Sequence, residues 1–327
     1  MNQNNPYRAY WEKSQEQSLK LAQYYTPKCL VELCIALLQP KGELFDPCCG
    51  LGSFLLKAKE KNLDLKISGN DIAKDLGELP FEFTNSDYLN NGEDREFDYI
   101  IANIPFNLKK THCQLVNENF CWIEKIIRNT RKKSLIILPN IVGGGLNPKQ
   151  TAKRKQIIES GVLELALQLP THLFNQVGLS VTLWLIDKTK TSQDVNLLDA
   201  EKFSEWKDKK RFISEENIQQ ICDKNNWIKA DLERIKENNF CLLPQRFEPL
   251  DEKEEEQWEI NQQIIKHTYE LRYSLHALIA DAYHKLMVLE DINSEEGEIQ
   301  LQNFFVEGKR VAELQEKIRK LLLEKYF

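Results

Sequence analysis

Two rhythms of apolar and polar positions alternate along the chain up to about residue 190. Short apolar runs at 43–45, 66–69, 81–84, 99–102, 134–139, 163–169 and 180–187 are bounded by Gly, Pro, Asn, Asp or charged residues. Such runs predict strands. Between some of them, residues 54–61, 119–130 and 149–160 carry apolar side chains three and four apart, the spacing of a helix with one buried face. Residues 25–39 place Leu30, Leu33, Cys34, Leu37 and Leu38 at the same spacing. Pro27 suits the first turn of that helix, and Pro40 and Gly42 end it. Residues 1–24 read as a short helical lead-in. Strands alternating with helices predict an α/β fold whose mainly parallel sheet is covered on both faces. The run Leu135-Ile136-Ile137-Leu138 is apolar on both faces, as a central strand is.

The pattern changes after residue 190. Residues 191–250 are polar and mixed, and they predict only an extension with a few short elements. From 252 to 290 a long helix is expected, with the stripe Ile264, Ile265, Leu271, Leu275, Leu278, Ile279, Ala282, Leu286 and Leu289. A second helix carries Val311, Leu314, Ile318 and Leu321 at alternating spacings of three and four, which suits a helix–helix seam. The expected organisation is therefore a lead-in over 1–24, an α/β domain over 25–190, a mixed extension over 191–250 and a helical region over 251–327. That last region is either a hairpin packed within the chain or a docking surface for another subunit.

Length and composition narrow the class. A chain of 327 residues with 42% apolar content is long enough for one large α/β domain with a helical appendage. No apolar run reaches the roughly 18 residues of a membrane span, and the polar N-terminus lacks the apolar core of a signal peptide. The expectation is a cytoplasmic protein without a membrane partner. The eight cysteines form no C-x-x-C pair and the five histidines sit at no zinc spacing, so reduced thiols and no metal are expected. The net charge of −6 is unevenly spread: residues 1–190 carry 24 Lys and Arg against 21 Asp and Glu, and residues 191–327 carry 20 against 29. Nucleic-acid affinity comes largely from phosphate neutralisation. Any such contact is therefore expected in the first part, with a partner supplying further basic surface. Lys149, Lys153, Arg154 and Lys155 form a basic cluster on an expected helix, either a solvated face or a phosphate contact; Arg131-Lys132-Lys133 reads as plain surface.

Chemistry is concentrated in four places. The segment Asp46-Pro47-Cys48-Cys49-Gly50-Leu51-Gly52-Ser53-Phe54 runs from a short strand through a tight Gly turn into a helix. Gly50 and Gly52 permit close backbone approach, and the helix start offers unpaired N–H groups. Asp71 follows Gly50 by 21 residues, at the end of the next strand, where a carboxylate suits ribose hydroxyls or a helix cap. Asp87, after the third strand, is either an acceptor for an adenine amino group or a turn residue. Asn103-Ile104-Pro105-Phe106 puts an amide, a restricted peptide and an aromatic ring at the carboxyl edge of the sheet, where open α/β sheets bind ligands.

In order and content these segments resemble the N6-adenine DNA methyltransferases, in particular the modification subunits of type I restriction enzymes. Gln23-Tyr24-Tyr25-Thr26-Pro27 is similar to the family's first motif. The stretch from Asp46 to Phe54 is similar to its S-adenosylmethionine (AdoMet) loop, and Asn103-Ile104-Pro105-Phe106 to its catalytic tetrapeptide. Leu138-Pro139-Asn140, Gly143-Gly144-Gly145, Arg154, Gly161-Val162-Leu163-Glu164, Leu169-Pro170 and Leu173-Phe174 extend the resemblance over about residues 20–190. It implies a Rossmann-like methyltransferase sheet with AdoMet as cofactor. Tyr25, Thr26, Pro27, Asp46, Pro47, Cys48, Gly50, Gly52, Ser53, Phe54, Asp71 and Asp87 would line the cofactor, Thr26 and Pro27 at its methionine end and Asp71 at its ribose. It implies double-stranded DNA as substrate, with a flipped adenine held by Asn103, the Ile104 carbonyl and Phe106, and Pro105 keeping Ile104 extended. A specificity subunit that reads the bases, and a restriction subunit, are the implied partners.

The chain departs from the family in three places. Ile104 stands where Pro is usual, only nine residues separate Asp71 from Phe81 where a full helix is normal, and 22 residues precede Gln23 in place of a large helical domain. These departures raise a rival reading, a non-catalytic subunit that keeps the fold for assembly; AdoMet binding discriminates the two. A methyltransferase acting on a protein glutamine is a further alternative, against which the Tyr-Thr-Pro and Leu-Pro-Asn stretches argue.

Overall fold

The computed structural model describes residues 5–21, 26–74, 76–92, 94–106, 118–174, 180–207 and 210–248, with scattered positions between 260 and 320. In chain order the elements are α1 (Pro6–Leu21), α2 (Lys28–Leu38), β1 (Glu43–Asp46), α3 (Ser53–Lys61), β2 (Lys66–Asp71), β3 (Glu82–Asn85), α4 (Tyr88–Asn91), β4 (Phe97–Asn103), α5 (Glu118–Asn129), β5 (Thr130–Pro139), α6 (Ile141–Gly144), α7 (Pro148–Glu159), β6 (Leu163–Gln168), β7 (Val181–Asp187), β8 (Val195–Asp199), β9 (Glu205–Lys207), β10 (Lys210–Phe212), α8 (Glu215–Cys222), β11 (Ile228–Ala230) and α9 (Leu232–Glu237). All seven expected strands and the expected helices up to residue 160 are present, with ends displaced by a few residues.

Nine strands form one sheet in the order β11-β8-β6-β7-β5-β4-β1-β2-β3. From β3 to β5 every neighbour is parallel. β7 lies antiparallel between β5 and β6. β8 pairs parallel with β6, and β11 antiparallel with β8. Residues 191–250, expected only as a mixed extension, thus add two strands to the same sheet. The carboxyl ends of β1, β2, β4, β5, β6 and β8 all emerge on one edge.

Successive side chains of a strand point to opposite faces, and the core divides accordingly. Leu44, Ile101, Leu135, Ile137, Leu165 and Leu167 pack with α2, α3 and α8. Phe45, Ile100, Ala102, Ile136, Leu138 and Ala166 pack with α5, α7 and α9. Each fully buried Leu or Ile contributes roughly 1.5–3 kcal/mol relative to exposure.

Local chemistry sets the ends of the helices. α2 follows Pro27 and stops at Gln39, whose left-handed backbone (φ 47°) precedes Pro40. Asn147 caps α7 through the N–H groups of Lys149 and Gln150, with Pro148 in the first turn. Ser214 caps α8, whose first turn carries Glu215 and Glu216.

The chain divides into two compact units, Met1–Glu248 and Pro249–Phe327. In the second, described positions such as Ile264, Leu271 and Leu275 lie on helical backbone. Ile265, Leu278, Ile279, Ala282, Leu286, Leu289, Val311, Leu314, Ile318 and Leu321 fall outside the described residues. No helix among the described residues is long and apolar enough to cross a membrane. Among the described residues six cysteines are free; against the expectation of reduced thiols throughout, Cys121 is disulfide-bonded.

Candidate active site

The residues singled out in the sequence meet at the carboxyl edge where β1, β2 and β4 end. β1 closes on Asp46, and the chain turns through residues 47–52 into α3. Gly50 (φ +50°) and Gly52 (φ +78°) hold left-handed backbone that other residues adopt at a cost. A Cβ on Gly52 would collide with the Phe81 ring, whereas one on Gly50 would project into open space. No side chain caps α3, so its first N–H groups remain available to a ligand.

Asp71 closes the turn from the neighbouring strand. Its Oδ2 accepts the Gly50 N–H at 2.8 Å and its Oδ1 accepts the Ala73 N–H at 2.9 Å. Each oxygen keeps a second lone pair, so ribose hydroxyls remain within its capacity. No helix starts at Asp71 among the described residues, the next element being β3, which removes the helix-cap reading. Beside it Ile72 is 69% exposed, an apolar surface of the kind an adenine face suits. Asn70 is buried and fixes the loops: its Nδ2 donates to the carbonyls of Pro47 (3.1 Å) and Ser86 (3.0 Å), and its Oδ1 accepts the Ser86 hydroxyl at 2.6 Å. Sequence reasoning passed over Asn70, Ile72, Ser86 and Phe81. Asn70, Ile72 and Ser86 had the local signal of adjacency to Asp71 and Asp87; Phe81 had none, because its approach to Gly52 is a tertiary contact.

The Asn103 carboxamide ends β4. Its Nδ2 donates to Thr26 Oγ1 at 3.0 Å, which commits the N–H side of the amide and leaves the side-chain oxygen to accept. Thr26 and Pro27 are both buried, and the Pro27 carbonyl begins α2 by accepting from Leu30 and Val31. Tyr25 lies outside the described residues, as do Gln23 and Tyr24. Ile104 is 2% exposed and anchors the tetrapeptide in the core. Phe106 is half-buried and touches both core clusters.

The double cysteine links the loop to Asn103. The Cys48 thiol donates to the Asn103 carbonyl at 3.3 Å, and the Cys48 N–H donates to Asp46 Oδ1 at 3.0 Å. Burial pushes both the Cys48 and Cys49 thiols well above their ordinary 9.0, and the charges of Asp46 and Asp71 add to it. These are neutral thiols that donate hydrogen bonds, not nucleophiles. Burial also lifts the Asp46 carboxyl from 3.8 to about 8; the Cys48 N–H opposes the shift and the Asp71 charge reinforces it.

Asp87 caps α4, its carboxylate accepting from the N–H groups of Leu89 and Asn90 at 3.1 and 3.4 Å. Ser53 and Phe54 open α3, and Pro47 is held by Asn70. Arg154 fits neither reading of the basic cluster. It is 1% exposed, and its guanidinium donates to the carbonyls of Phe240 (2.5 Å), Val142 (3.1 Å) and Gly145 (3.1 Å). Lys153 pairs with Glu124 at 2.6 Å. Arg131, Lys132 and Lys133 pair with Glu43, Asp98 and Asp187 at the opposite edge of the sheet. A cavity of about 640 Å³ between α1, α2, α3 and α8 lies apart from all these residues. No group of three or more metal-ligating side chains occurs among the described residues.

Comparison with known proteins gives one consistent result. The family model described as N-6 DNA methylase matches residues 10–79 and 70–257. The HindI methylase subunit of a type I restriction enzyme from Haemophilus influenzae is 25% identical over 299 residues, 74% of this chain and 67% of that one. The MjaVII methylase subunit from Methanocaldococcus jannaschii is 27% identical over 73% of this chain and 52% of its own. Among solved structures, the type I restriction-modification methyltransferase subunit from Streptococcus thermophilus superposes with a TM-score of 0.63 at 21% identity, covering 69% of this chain and 60% of that one. The alignments thus span about half to two thirds of these relatives' lengths.

Proposed function

The chain belongs to the N-6 DNA methylase family, and from that premise we propose that it transfers a methyl group from AdoMet to the N6 amine of a flipped adenine in double-stranded DNA. The Asn103–Thr26 hydrogen bond carries this reading. The exocyclic amine of adenine is a poor nucleophile because its lone pair is delocalised into the ring. With its N–H side committed to Thr26, Asn103 turns its side-chain oxygen to the incoming amine. The Ile104 carbonyl serves as the second acceptor. Two fixed acceptors orient the amine and offset the positive charge that develops on it. Phe106 supplies the ring for stacking on the extruded base.

The pocket suits AdoMet on three counts: the open space at Gly50, the uncapped start of α3, and the lone pairs left on Asp71. AdoMet supplies an electrophilic methyl on a sulfonium. Its holding falls to Thr26 and Pro27 at the methionine end, the loop from Asp46 to Phe54 at the centre and Asp71 at the ribose. The replacement of Pro by Ile104 keeps the required carbonyl, and Pro105 keeps Ile104 extended. Assembly follows the same reading: the chain acts as the modification subunit of a type I system, with a specificity subunit choosing the site and a restriction subunit supplying cleavage.

Calorimetric titration with AdoMet tests the reading, alongside transfer of labelled methyl to DNA by the complex with its specificity partner. The intact chain binds AdoMet, and Asp71→Ala weakens it at least tenfold, about 1.4 kcal/mol. Asn103→Ala keeps AdoMet binding and loses methyl transfer by about 10²–10³-fold, the usual cost of one oxyanion-type contact. Full transfer by Asn103→Ala overturns the catalytic assignment. Absence of AdoMet binding by both chain and complex establishes a non-catalytic subunit instead.

A further inference from the structure

The β9–β10 hairpin inverts the charge of the region that holds it. Residues 191–327 are acidic, yet 205–212 carry Lys207, Lys209, Lys210 and Arg211 against Glu205 and Asp208. The hairpin forms a separate two-stranded sheet. Its described side chains are exposed except Arg211, which is half-buried. Trp206 is 57% and Phe212 40% exposed, a large apolar area for water to cover. The Arg211 guanidinium lies 4.9 Å from the Trp206 ring and the His172 ring 5.4 Å from it.

The base of the hairpin is fixed. The Arg211 N–H donates to the His172 carbonyl at 3.2 Å, Asn217 Nδ2 donates to Glu205 at 3.0 Å, and Ile213 is buried directly after the second strand. Arg211 also pairs with Glu201. His172 holds a left-handed backbone (φ 58°) shortly after β6 ends at Gln168. Exposed rings and lysines on a rigid support have the composition of a nucleic-acid contact: cations for phosphates and π-faces for bases.

Position supports the same conclusion. β6 and β8 release their chains on the edge that carries Asn103. In the sheet order β6 stands three strand spacings from β4 and β8 four, hence about 14 and 19 Å along the edge. At about 3.4 Å per base pair that is roughly four to six base pairs from the extruded base.

We propose that the β9–β10 hairpin, through Trp206, Lys207 and Lys210, is a second DNA contact that grips the substrate several base pairs from the target adenine. The proposal rests on DNA being the substrate. Fluorescence anisotropy of a labelled mixed-sequence duplex, titrated with the full chain at rising salt, tests it. Lys207→Gln with Lys210→Gln should lower the slope of log affinity against log salt by about two. Trp206→Ala should weaken binding about tenfold. The matched control, Lys61→Gln with Lys66→Gln at the opposite edge, should leave both unchanged. AdoMet affinity, measured in parallel, should be the same in every variant. An unchanged slope and affinity in the hairpin variants, or a wild-type chain that holds no duplex, overturns the proposal; the first result would assign the hairpin to a protein partner. Failure to bind AdoMet counts against the methyltransferase reading alone.

Discussion

At the scale of single residues, Asp46 is a buried carboxyl that accepts the Cys48 N–H. Its folded-state pKa of about 8 exceeds the ordinary 3.8. The folded state therefore holds the proton more tightly than the unfolded chain. The stability this contributes is fully present below 3.8 and is lost as pH rises through about 8. Asp46→Asn removes the titration while keeping an acceptor for Cys48. The expected outcome is a smaller fall in melting temperature for the variant than for the wild type between pH 6 and 9, in parallel thermal scans. Identical slopes would mean that Asp46 is ionised throughout. The effect concerns the loop at 46–54 directly, since Asp46 and Cys48 together tie that loop to the Asn103 carbonyl.

At the scale of elements, α4 is a single turn whose start depends on Asp87. The carboxylate is already engaged by Leu89 and Asn90. Loss of a cap costs about 1 kcal/mol, which is roughly 2–4 °C in a chain of this size. Asp87→Ala should lower the melting temperature by that amount and change AdoMet affinity less than threefold by calorimetry. A tenfold loss of affinity would return Asp87 to the adenine pocket. The same trade between capping and binding explains α3: an uncapped helix start beside two left-handed glycines forgoes some local stability and keeps donors free.

At the scale of the molecule, Arg154 links α7 to the turn of α6 and to the segment around Phe240. Removing it takes the guanidinium donor from the buried Val142 carbonyl and from the part-buried carbonyls of Phe240 and Gly145. Arg154→Ala should cost about 1–3 kcal/mol, read as a lower urea midpoint for the full chain. Arg154→Lys should recover little of it, because an ammonium cannot fork to three carbonyls in fixed directions. A loss confined to DNA affinity, with stability unchanged, would instead restore the phosphate reading of this residue.

The sequence by itself determined whatever depends on neighbours along the chain. Short apolar runs marked the seven strands, and the 3.6-residue period marked the helices up to residue 160. The strand–glycine–helix turn at 46–54 and the Asn-Ile-Pro-Phe tetrapeptide marked the candidate site, because backbone conformation and functional group are local properties. Tertiary structure decided what depends on pairing across the chain. Thr26 and Asn103 lie 77 residues apart, and only the packing of α2 against the sheet brings them together. The antiparallel insertion of β7 carries no local sign, since direction is set by connections. β8 and β11 span five and three residues, too few for a period to emerge from mixed sequence, and they are strands because β6 offers β8 an edge and β8 in turn offers one to β11. Arg154 looked like one more surface cation because a helix pattern reports spacing but not what covers each face, and burial of its guanidinium was settled by the carbonyl groups that fold around it.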